Sequence, residues 1–362
     1  MGEQVRYGLV GAGMMGIEHI TNLAITPGAV VTALADPTRT SLDASLKALG
    51  EKAGSVQSFD SVEALATSGL CDAVIVASPN YTHRAVLEPV FDAGLHILCE
   101  KPVATTIADA KWIVERAEAS DKVFWTAMEY RYMPPAAEFI REIRDGRVGR
   151  LQMLSIREHR FPFLEKVGDW NRFNRNTGGT MVEKCCHFFD LMRLITQSEA
   201  VRVCCSGAMD VNHLDERYDG QTPDIIDNSY TTVDFANGVR AMLDLSMFAD
   251  GAENQEEIAA VGDKARLEVL IPEGAIVYSP RVGFRNAKQV ERRMVHTDET
   301  ALNAGSHHGS TFYEHQKFNA AVRGDGKVEV TARDGLMAVA IGTAAEISAR
   351  EHRVVDMSEL GL

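Results

Sequence analysis

A short glycine-rich turn near the start of the chain sets the strongest constraint on the fold. It has the pattern G-x-G-x-x-G and comprises Gly11-Ala12-Gly13-Met14-Met15-Gly16. An apolar segment suited to a buried strand, residues 7–10, precedes the turn, and a helix-forming segment follows it. Asp36 ends the next apolar segment, 20 residues after Gly16. This spacing predicts a strand–turn–helix–strand unit that binds a dinucleotide; the alternative is a structural turn that binds no ligand.

Each glycine of the turn has a physical reason. Gly11 allows the tight turn, Gly13 lets the backbone approach a pyrophosphate, and Gly16 lets the helix pack against the strand. The N–H groups and the positive dipole end of the helix would bind the phosphates. Asp36 would accept hydrogen bonds from the ribose hydroxyls, which favours NAD, although Arg39 is near enough to contact the 2′-phosphate of NADP. The cofactor-binding residues predicted from this segment are Gly11, Ala12, Gly13, Met14, Met15, Gly16, Asp36 and Arg39.

The first third of the chain alternates short apolar segments with amphipathic helical ones. The predicted strands are rich in Val, Ile, Leu and Ala and cover residues 7–10, 30–35, 73–77, 96–99 and 123–127. Pairs with the spacing of helix caps are Thr40 with Asp43, Asp60 with Glu63, and Thr106 with Asp109. Strands that alternate with helices predict a doubly wound parallel sheet, a Rossmann domain, over residues 1–127.

The pattern changes after about residue 128. Strand-like segments now follow one another with fewer helices between them, at residues 151–158, 200–208, 229–235, 240–247, 256–261 and 265–269. Helices are predicted near residues 133–145, 181–194, 310–322 and 333–349. The chain is therefore predicted to be an α/β protein whose second domain, residues 128–362, is α+β with a large, open, mostly antiparallel sheet.

Composition excludes several classes of function. The formal net charge of −14 and the pI of about 5.3 argue against a nucleic-acid partner, which needs a basic surface. The apolar runs are too short for a membrane span, and the first residues lack the features of a secretory signal. The six cysteines show no C-x-x-C spacing, so we expect reduced packing residues, no metal site and a cytoplasmic protein.

Two further segments carry candidate chemistry. Glu100-Lys101-Pro102 follows the strand at 96–99, and ligands bind at the carboxyl ends of such strands, although a surface lysine is an equally good interpretation. Glu183 and His187 have the i, i+4 spacing that places two side chains on one helical face. Asp190, three residues further on, would orient the imidazole, whereas a lone histidine on a helix is more often structural.

Taken together, these segments resemble the glucose–fructose oxidoreductase, inositol dehydrogenase and MocA family over nearly the full length. The matching residues are the glycine turn, Ala77-Ser78-Pro79-Asn80-Tyr81-Thr82-His83, Glu100-Lys101-Pro102, and Gly178-Gly179 followed by His187 and Asp190. The family usually has Asp where this chain has Glu183 and Gly where it has Cys185, and Lys184 is unusual so near the base. The resemblance implies an NAD(P)-dependent oxidoreductase for a cyclic polyol, sugar or sugar derivative.

The resemblance also implies roles for single residues. The nicotinamide side of the cofactor would be lined by Ser78, Pro79, Asn80 and His83. Glu100 and Lys101 would sit at the nicotinamide, with Lys101 also reaching the substrate, and Glu129 is added to the cofactor-binding set. The open sheet of such proteins often serves as an oligomer interface, which implies a homodimer or homotetramer.

The predicted mechanism uses three side chains. His187 accepts the hydroxyl proton as general base, and Lys101 donates a hydrogen bond to the same oxygen. Glu183 holds His187 or binds an adjacent hydroxyl of the substrate. Two other functions remain open: an NAD-dependent glycosidase that acts through transient oxidation, and a non-catalytic NAD-binding sensor.

Other residues allow both a binding and a structural interpretation. Arg131, Trp170 and Arg172 are candidates for substrate binding, with structural roles as the alternative. The basic residues between 157 and 175 are either a solvated loop or a pocket for an acidic sugar. His307 and His308 are expected to be exposed.

Overall fold

The computed structural model describes residues 4–286 and 289–362. Residues 1–3, with which the predicted first domain begins, lie outside this description. The chain forms two compact units, Met1–Tyr132 with Asp298–Val339, and Met133–Thr297 with Ala340–Leu362. The sequence-based division at 127/128 assigned Asp298–Val339 to the second domain, whereas the structure groups this segment with the first unit.

The secondary structure alternates in the first unit and is mostly β in the second. The strands are β1 Val5–Val10, β2 Ala29–Ala35, β3 Gln57–Phe59, β4 Ala73–Val76, β5 His96–Glu100, β6 Phe124–Ala127, β7 Leu151–His159, β8 Ala200–Ala208, β9 Asn228–Phe235, β10 Arg240–Ser246, β11 Glu256–Gly262, β12 Ala265–Ile271, β13 Ala275–Pro280, β14 Glu291–Met294 and β15 Val355–Asp356. The helices are α1 Met14–Ile25, α2 Arg39–Leu49, α3 Val62–Ala66, α4 His83–Asp92, α5 Ile107–Glu118, α6 Pro134–Arg144, α7 Asn174–Thr177, α8 Thr180–Glu183, α9 Cys186–Thr196, α10 Glu299–Leu302, α11 Ser310–Val322 and α12 Ala332–Glu351.

The first unit contains a six-stranded sheet in the order β3-β2-β1-β4-β5-β6. Each neighbouring pair of strands is parallel, and β4 and β6 are buried along their whole length. Strands that pack on both faces need the continuous apolar composition seen in the sequence. The predicted parallel Rossmann sheet is confirmed, and the structure adds the short strand β3, whose three residues lack an apolar run.

The ends of the helices in this unit follow local chemistry only in part. Thr106 caps α5 as predicted, because its side chain accepts a hydrogen bond from the Asp109 amide. The other two predicted caps are wrong: α2 begins after Thr38 without a side-chain cap, and Ser61 caps α3. At α3 a neighbouring hydroxyl takes the role, and α2 begins without any side-chain cap, so spacing alone does not select the capping residue.

The second unit contains a nine-stranded sheet in the order β14-β13-β12-β11-β7-β10-β9-β8-β15. Its pairs are antiparallel except β7 with β10, so the predicted open, mostly antiparallel sheet is confirmed. Burial alternates along β12, as expected for a sheet with one packed face. The other face exposes large apolar side chains, among them Met153, Tyr230 and Met242.

The helix predicted over residues 181–194 is wrong as one element. The structure has α8, which ends at Glu183, and α9, which begins at Cys186, with Lys184 and Cys185 in a turn between them. The Cys185 amide donates to the carbonyl of Thr180, five residues back, instead of continuing the four-residue spacing of an α-helix. Glu183 and His187 therefore do not share one continuous helical face.

Among the helices of residues 4–286 and 289–362, none has the length and apolarity needed to cross a bilayer.

Candidate functional site

The glycine turn of the first unit has the geometry of a phosphate-binding turn. Gly11 has a φ of +94°, and a Cβ there would lie 2.5 Å from the backbone of Ala77. A Cβ on Gly16 would lie 2.3 Å from the carbonyl oxygen of Gly11. A Cβ on Gly13, by contrast, would meet no atom within 4 Å. The first and third glycines thus serve the packing of the protein, and the middle one leaves open space at the beginning of α1.

The carboxylate at the end of β2 stabilises this turn. The Ala12 amide donates to Asp36 Oδ2 at 2.8 Å, and the Thr38 amide donates to Oδ1 at 2.7 Å. A residue that sequence reasoning missed also contributes, because Ser45 Oγ donates to the carbonyl of Ala12 at 2.8 Å. Arg39 is exposed and forms an ion pair with Asp43, so its positive charge is balanced within α2.

The segment after β4 joins two turns of the first unit. His83 is fully buried, with Nδ1 3.0 Å from the carbonyl oxygen of Pro102 and Nε2 3.0 Å from that of Ser78. Burial lowers the pKa of His83, although these carbonyl contacts oppose the shift. His83 thus bridges the turn at Ser78 and the turn at Pro102.

A second residue of this segment, Asn80, has a buried side-chain nitrogen, Nδ2, that lacks a hydrogen-bond partner in the described structure. Such an unsatisfied donor beside Ser78 and Pro79 fits a bound polar ligand.

The carboxyl end of β5 carries a buried hydrogen-bonded chain. Glu100 Oε2 accepts from the Lys101 amide at 3.1 Å, and Glu100 Oε1 lies 3.0 Å from His19 Nε2. His19 Nδ1 lies 3.0 Å from Nε2 of His315, which is fully buried. Burial would raise the pKa of Glu100, but the hydrogen bond to His19 and the charge of Lys101 together lower it. The backbone that bears Lys101 is therefore fixed through an ionised Glu100.

More ionisable groups surround this chain, and their pKa values are shifted. Burial raises the pKa of Glu129, Glu100 adds to the rise, and His307 and Lys101 oppose it. Burial and the charge of Glu129 raise the pKa of Glu314 well above its usual range. Shifted pKa values that gather around one lysine are characteristic of functional sites.

His307 departs from the sequence-based expectation of an exposed residue. It is only partly exposed, and its Nδ1 lies 2.6 Å from Glu18 Oε1. Burial would lower the pKa of His307, but Glu18 and Glu129 raise it. Burial also acts on Glu18, yet the hydrogen bond and charge of His307 lower its pKa to about 2. Glu18 and His307 therefore form an ion pair, which Ser306 supports by donating to Glu18 Oε2.

Arg131 lies inside the first unit and makes contacts there. It is 8% exposed, its Nη1 donates to the carbonyl of Glu329 at 2.9 Å, and its Nη2 lies 3.8 Å from Asp334 Oδ1. These contacts support the structural interpretation of Arg131, and substrate binding stays a prediction.

In the second unit, two glycines lead into α8. Gly178 and Gly179 have φ values of +81° and +95°, and a Cβ on Gly179 would lie 2.2 Å from Glu346 Oε1. The same oxygen accepts a hydrogen bond from the Met181 amide at 3.0 Å. Burial raises the pKa of Glu346 to about 7, even though the bond from Met181 lowers it. Glu346 thus anchors the first turn of α8, a role that no motif in the sequence predicts.

The three polar residues of the predicted catalytic segment are buried in this unit. Glu183 is 6% exposed, His187 is 2% exposed and Asp190 is fully buried. Glu183 ends α8, whereas His187 is the second residue of α9. Ionisable side chains are seldom this fully buried, so the burial of three of them within eight residues sets this segment apart from a solvated helix face.

The basic stretch between residues 157 and 175 is largely neutralised by acidic partners. Arg172 is 3% exposed and donates from Nε to Glu216 Oε2 at 3.0 Å. Arg157 contacts Asp244 and Glu257. This pairing does not favour a pocket for an acidic sugar. Trp170 is half-buried, and its carbonyl accepts from Asn176, so the structure leaves its proposed binding role as a prediction.

Sequence reasoning missed several residues of these networks. They share burial of a charged or titratable side chain that no motif of the sequence includes, and they are His19, Glu158, Glu256, Glu314, His315 and Glu346. His19 offered a signal, because it lies one turn after Gly16 on the helix that follows the glycine turn. Over residues 4–286 and 289–362, no group of three or more His, Cys, Asp and Glu side chains is arranged to hold a metal ion.

The first unit defines a class of protein. A parallel sheet of this strand order, an open glycine turn and a carboxylate after β2 form a dinucleotide-binding Rossmann domain. The chain belongs to the Gfo/Idh/MocA oxidoreductase family: the family's NAD-binding Rossmann fold matches residues 5–128, and its C-terminal alpha/beta domain matches residues 140–357.

Similar proteins cover the whole chain. The myo-inositol 2-dehydrogenase of Thermotoga maritima is 25% identical over 98% of this chain and 99% of its own length. The scyllo-inositol 2-dehydrogenase (NAD+) of Bacillus subtilis (strain 168) is 25% identical over 99% of this chain and 97% of its own length. A solved structure of levoglucosan dehydrogenase with NADH and levoglucosan has a TM-score of 0.84 at 20% identity, covering 98% of this chain and 100% of that one, which shows the shared fold.

Proposed function

We propose that this NAD-binding oxidoreductase is a dehydrogenase that oxidises a secondary hydroxyl of a cyclic polyol, sugar or sugar derivative. The observation that carries the proposal is the first unit itself, where an open glycine turn follows β1 and a cluster of shifted ionisable groups surrounds Lys101 at the end of β5. Full-length similarity to two inositol dehydrogenases supports a ring polyol as the substrate class.

The residues of the first unit fit the cofactor. Gly13 leaves room for a pyrophosphate, the first turn of α1 offers backbone N–H groups, and Asp36 offers a carboxylate to ribose hydroxyls. When bound, NAD supplies the hydride acceptor. Because a second negative charge beside Asp36 is unfavourable, we expect a preference for NAD over NADP.

The proposed chemistry divides between three side chains. His187 accepts the hydroxyl proton on an imidazole nitrogen while the carbon gives up its hydride and becomes a carbonyl. Lys101 donates a hydrogen bond to the reacting oxygen and stabilises its developing negative charge. Glu183 orients His187 or binds a second hydroxyl, and the extra methylene relative to Asp extends its reach.

A substrate panel tests the proposed function. Inositols, hexoses, anhydrosugars and uronates are each incubated with NAD or NADP, and absorbance of the reduced nicotinamide is followed. We expect net NADH formation with at least one uncharged cyclic polyol. Cleavage of a glycoside without net NADH would indicate the glycosidase alternative, and NAD binding with no turnover of any compound would indicate a sensor.

Two variants test the assigned roles. Lys101→Met is expected to lower kcat by about 10²–10³-fold, the typical effect of losing one donor to a developing oxyanion. His187→Asn is expected to lower kcat by about 10²–10⁴-fold, the range for a general base. Lys47→Met, an exposed substitution on α2, and His352→Asn, an exposed substitution after α12, are the matched controls and should behave as the wild type. Lys101→Met with unchanged kcat and normal NAD binding would remove the catalytic assignment.

Location and assembly stay predictions from the sequence. The six cysteines are thiols that form no disulfide bond in the described structure, and five of them are buried, which supports a reducing compartment such as the cytoplasm. The apolar side chains on the open face of the nine-stranded sheet support a homodimer or homotetramer, which sedimentation equilibrium would measure.

A further inference from the structure

Four charged side chains gather within the second unit at one end of β7 and β11. Glu158 and Glu256 lie directly opposite each other in this antiparallel pair, and they are 0% and 1% exposed. Lys184, from the turn between α8 and α9, is 4% exposed, and Arg160 follows β7. Two carboxyl groups placed opposite each other and removed from water repel when both are ionised, so this arrangement needs compensating charge or a proton.

The contacts show how that compensation is arranged. Lys184 Nζ lies 2.9 Å from Glu158 Oε1, and Arg160 Nη1 lies 3.5 Å from the same oxygen. Gln255 Nε2 bridges the pair, donating to Glu256 Oε1 at 2.7 Å and to Glu158 Oε1 at 3.4 Å. Oε1 of each carboxyl group is therefore satisfied, by three donors at Glu158 and by one at Glu256.

The other oxygens indicate a shared proton. Oε2 of Glu158 and Oε2 of Glu256 are buried, and neither has a hydrogen-bond partner if both groups are carboxylates. Because the two residues lie directly opposite each other in the strand pair, one proton held between the groups would satisfy both atoms. Burial and the neighbouring Glu158 raise the pKa of Glu256 to about 8, against the opposing charge of Lys184. Burial, followed by the charge of Arg160, lowers the pKa of Lys184.

Through Lys184, this cluster is attached to the stretch of backbone that carries the proposed catalytic residues Glu183 and His187. Lys184 directly follows Glu183 and precedes His187 by three residues. The turn in which it lies interrupts the helix, so regular helical hydrogen bonding does not fix the relative placement of those two residues. We propose that Lys184 is a positioning residue, anchored on the Glu158–Glu256 carboxyl pair, that sets the geometry of the turn between Glu183 and His187. The inference rests on the proposed function, because it assigns a purpose to this turn in catalysis.

The energetics favour a purpose beyond stability. Burying an ion pair costs desolvation of both charges, and a well-packed apolar side chain in the same place is often as stable or more stable. Lys184 Nζ also lies 5.5 Å from the centre of the Phe188 ring, so a methionine of similar length would keep one apolar contact. An apolar side chain would, however, lose the ion pair that attaches the turn to Glu158 Oε1 on β7.

Three variants and one control separate the possibilities. Glu256→Gln imitates the protonated carboxyl, Lys184→Met removes the anchor, and Lys184→Met with Glu158→Gln removes the anchor together with the carboxylate it neutralises. Glu257→Gln is the matched control, because Glu257 is the next residue of β11 and pairs with Arg157 instead. The charged and titratable groups that face Glu256 are Glu158, Arg160, Lys184 and, through Lys184, Cys185.

Catalysis and its pH profile give the first readout. Lys184→Met is expected to lower kcat by about 10²-fold with a much smaller change in KM, as when a reacting group is displaced by about 1 Å. The double variant should regain part of that loss, because no uncompensated carboxylate remains buried. Glu256→Gln should match the wild type near neutral pH and retain its activity above about pH 8, where the wild type loses activity as Glu256 ionises.

A second readout needs no substrate. We would follow melting temperature between about pH 6 and about pH 10 and hydrogen–deuterium exchange of the peptide containing residues 180–190. The wild type should lose stability as pH rises through about 8, Glu256→Gln should not, and Lys184→Met alone should exchange faster in this peptide.

Failure of this inference can be distinguished from failure of the proposed function. A wild type that oxidises no polyol would refute the proposed function, while exchange and melting would still test the anchored turn. Superimposed melting profiles of the wild type and Glu256→Gln would overturn the shared proton. Unchanged kcat and unchanged exchange in Lys184→Met would overturn the positioning role. If that variant does not fold, the double variant Lys184→Met with Glu158→Gln decides by the same two measurements, because it also lacks the anchor but leaves no unpaired carboxylate at position 158.

Discussion

Replacing Gly13 with alanine separates cofactor binding from folding. The new methyl group would meet no protein atom within 4 Å, and the backbone φ of −79° lies outside the left-handed region that favours glycine. We therefore expect the free energy of unfolding to change by no more than about 0.5 kcal/mol, as at an unconstrained surface site. For a unit of this size that is a shift of about 2 °C or less in melting temperature. The methyl group would occupy the space through which a pyrophosphate approaches the backbone, at a cost of about 1–3 kcal/mol, or roughly 5–150-fold in Kd for NAD.

Two other glycines provide the comparison. Gly16→Ala would place a Cβ 2.3 Å from the carbonyl oxygen of Gly11, a backbone atom that cannot move without displacing the turn. That overlap costs about 1–3 kcal/mol, of which the better helix propensity of alanine returns up to about 1 kcal/mol. Gly54→Ala is the neutral control, because its Cβ also meets no atom within 4 Å and the residue lies outside the turn.

The assay combines thermal unfolding without cofactor and calorimetric titration with NAD. We expect Gly13→Ala to melt like the wild type and bind NAD weakly, Gly16→Ala to melt several degrees lower, and Gly54→Ala to match the wild type in both. Gly13→Ala that binds NAD as tightly as the wild type would show that no ligand approaches the turn there. The dinucleotide site would then have to be placed elsewhere.

Two further predictions concern single carboxyl groups. Glu346→Gln should abolish a pH dependence of stability. Because burial raises the pKa of Glu346 from 4.5 to about 7, the protonated group stabilises the wild type at low pH. The free energy of unfolding of the wild type should therefore fall by about 3 kcal/mol as pH rises through about 7. Urea unfolding at a series of pH values measures this, and an identical slope in the variant would contradict it. Asp36→Asn should reduce the preference for NAD over NADP by about 10-fold or more, the worth of one charged hydrogen bond and its repulsion of a phosphate. The ratio of the two Kd values measures this, and an unchanged ratio would mean that Asp36 acts only on the turn, through Ala12 and Thr38.

Much of the fold follows from local signals in the sequence. Buried parallel strands have continuous apolar sequences. The ends of β1, β2, β4, β5 and β6 were therefore predictable to within one or two residues. The strand β3 was not, because its three residues, Gln57–Phe59, are partly exposed at the edge of the sheet. The grouping of Asp298–Val339 with the first unit was equally inaccessible, since it depends on packing between segments about 300 residues apart, such as Tyr7 with Asn319.

The candidate site was predictable where a motif fixes the backbone and not where side chains from distant segments meet. The glycine turn required three glycines for reasons that act within a few residues, and the structure shows a close contact at two of them and open space at the third. The chain from Glu100 through His19 to His315 joins three segments of the first unit that have no sequence relation to one another. A histidine in isolation has no preferred role, so only the fold reveals that these two support the residue next to Lys101.

The turn at Lys184 shows why spacing along a sequence is an incomplete guide to a site. Two polar residues four apart share a face only while the hydrogen bonds between them keep the helical pattern, and here that pattern is broken between Glu183 and His187. The break is compatible with a buried lysine because Glu158, 26 positions earlier in the chain, lies 2.9 Å from its ammonium group. The carboxylate at position 158 is therefore linked, through Lys184, to the turn that precedes His187. Under the proposed positioning role, Glu158→Gln should accordingly change catalysis although it leaves the motif intact, whereas Glu257→Gln, on the opposite face of β11, should not.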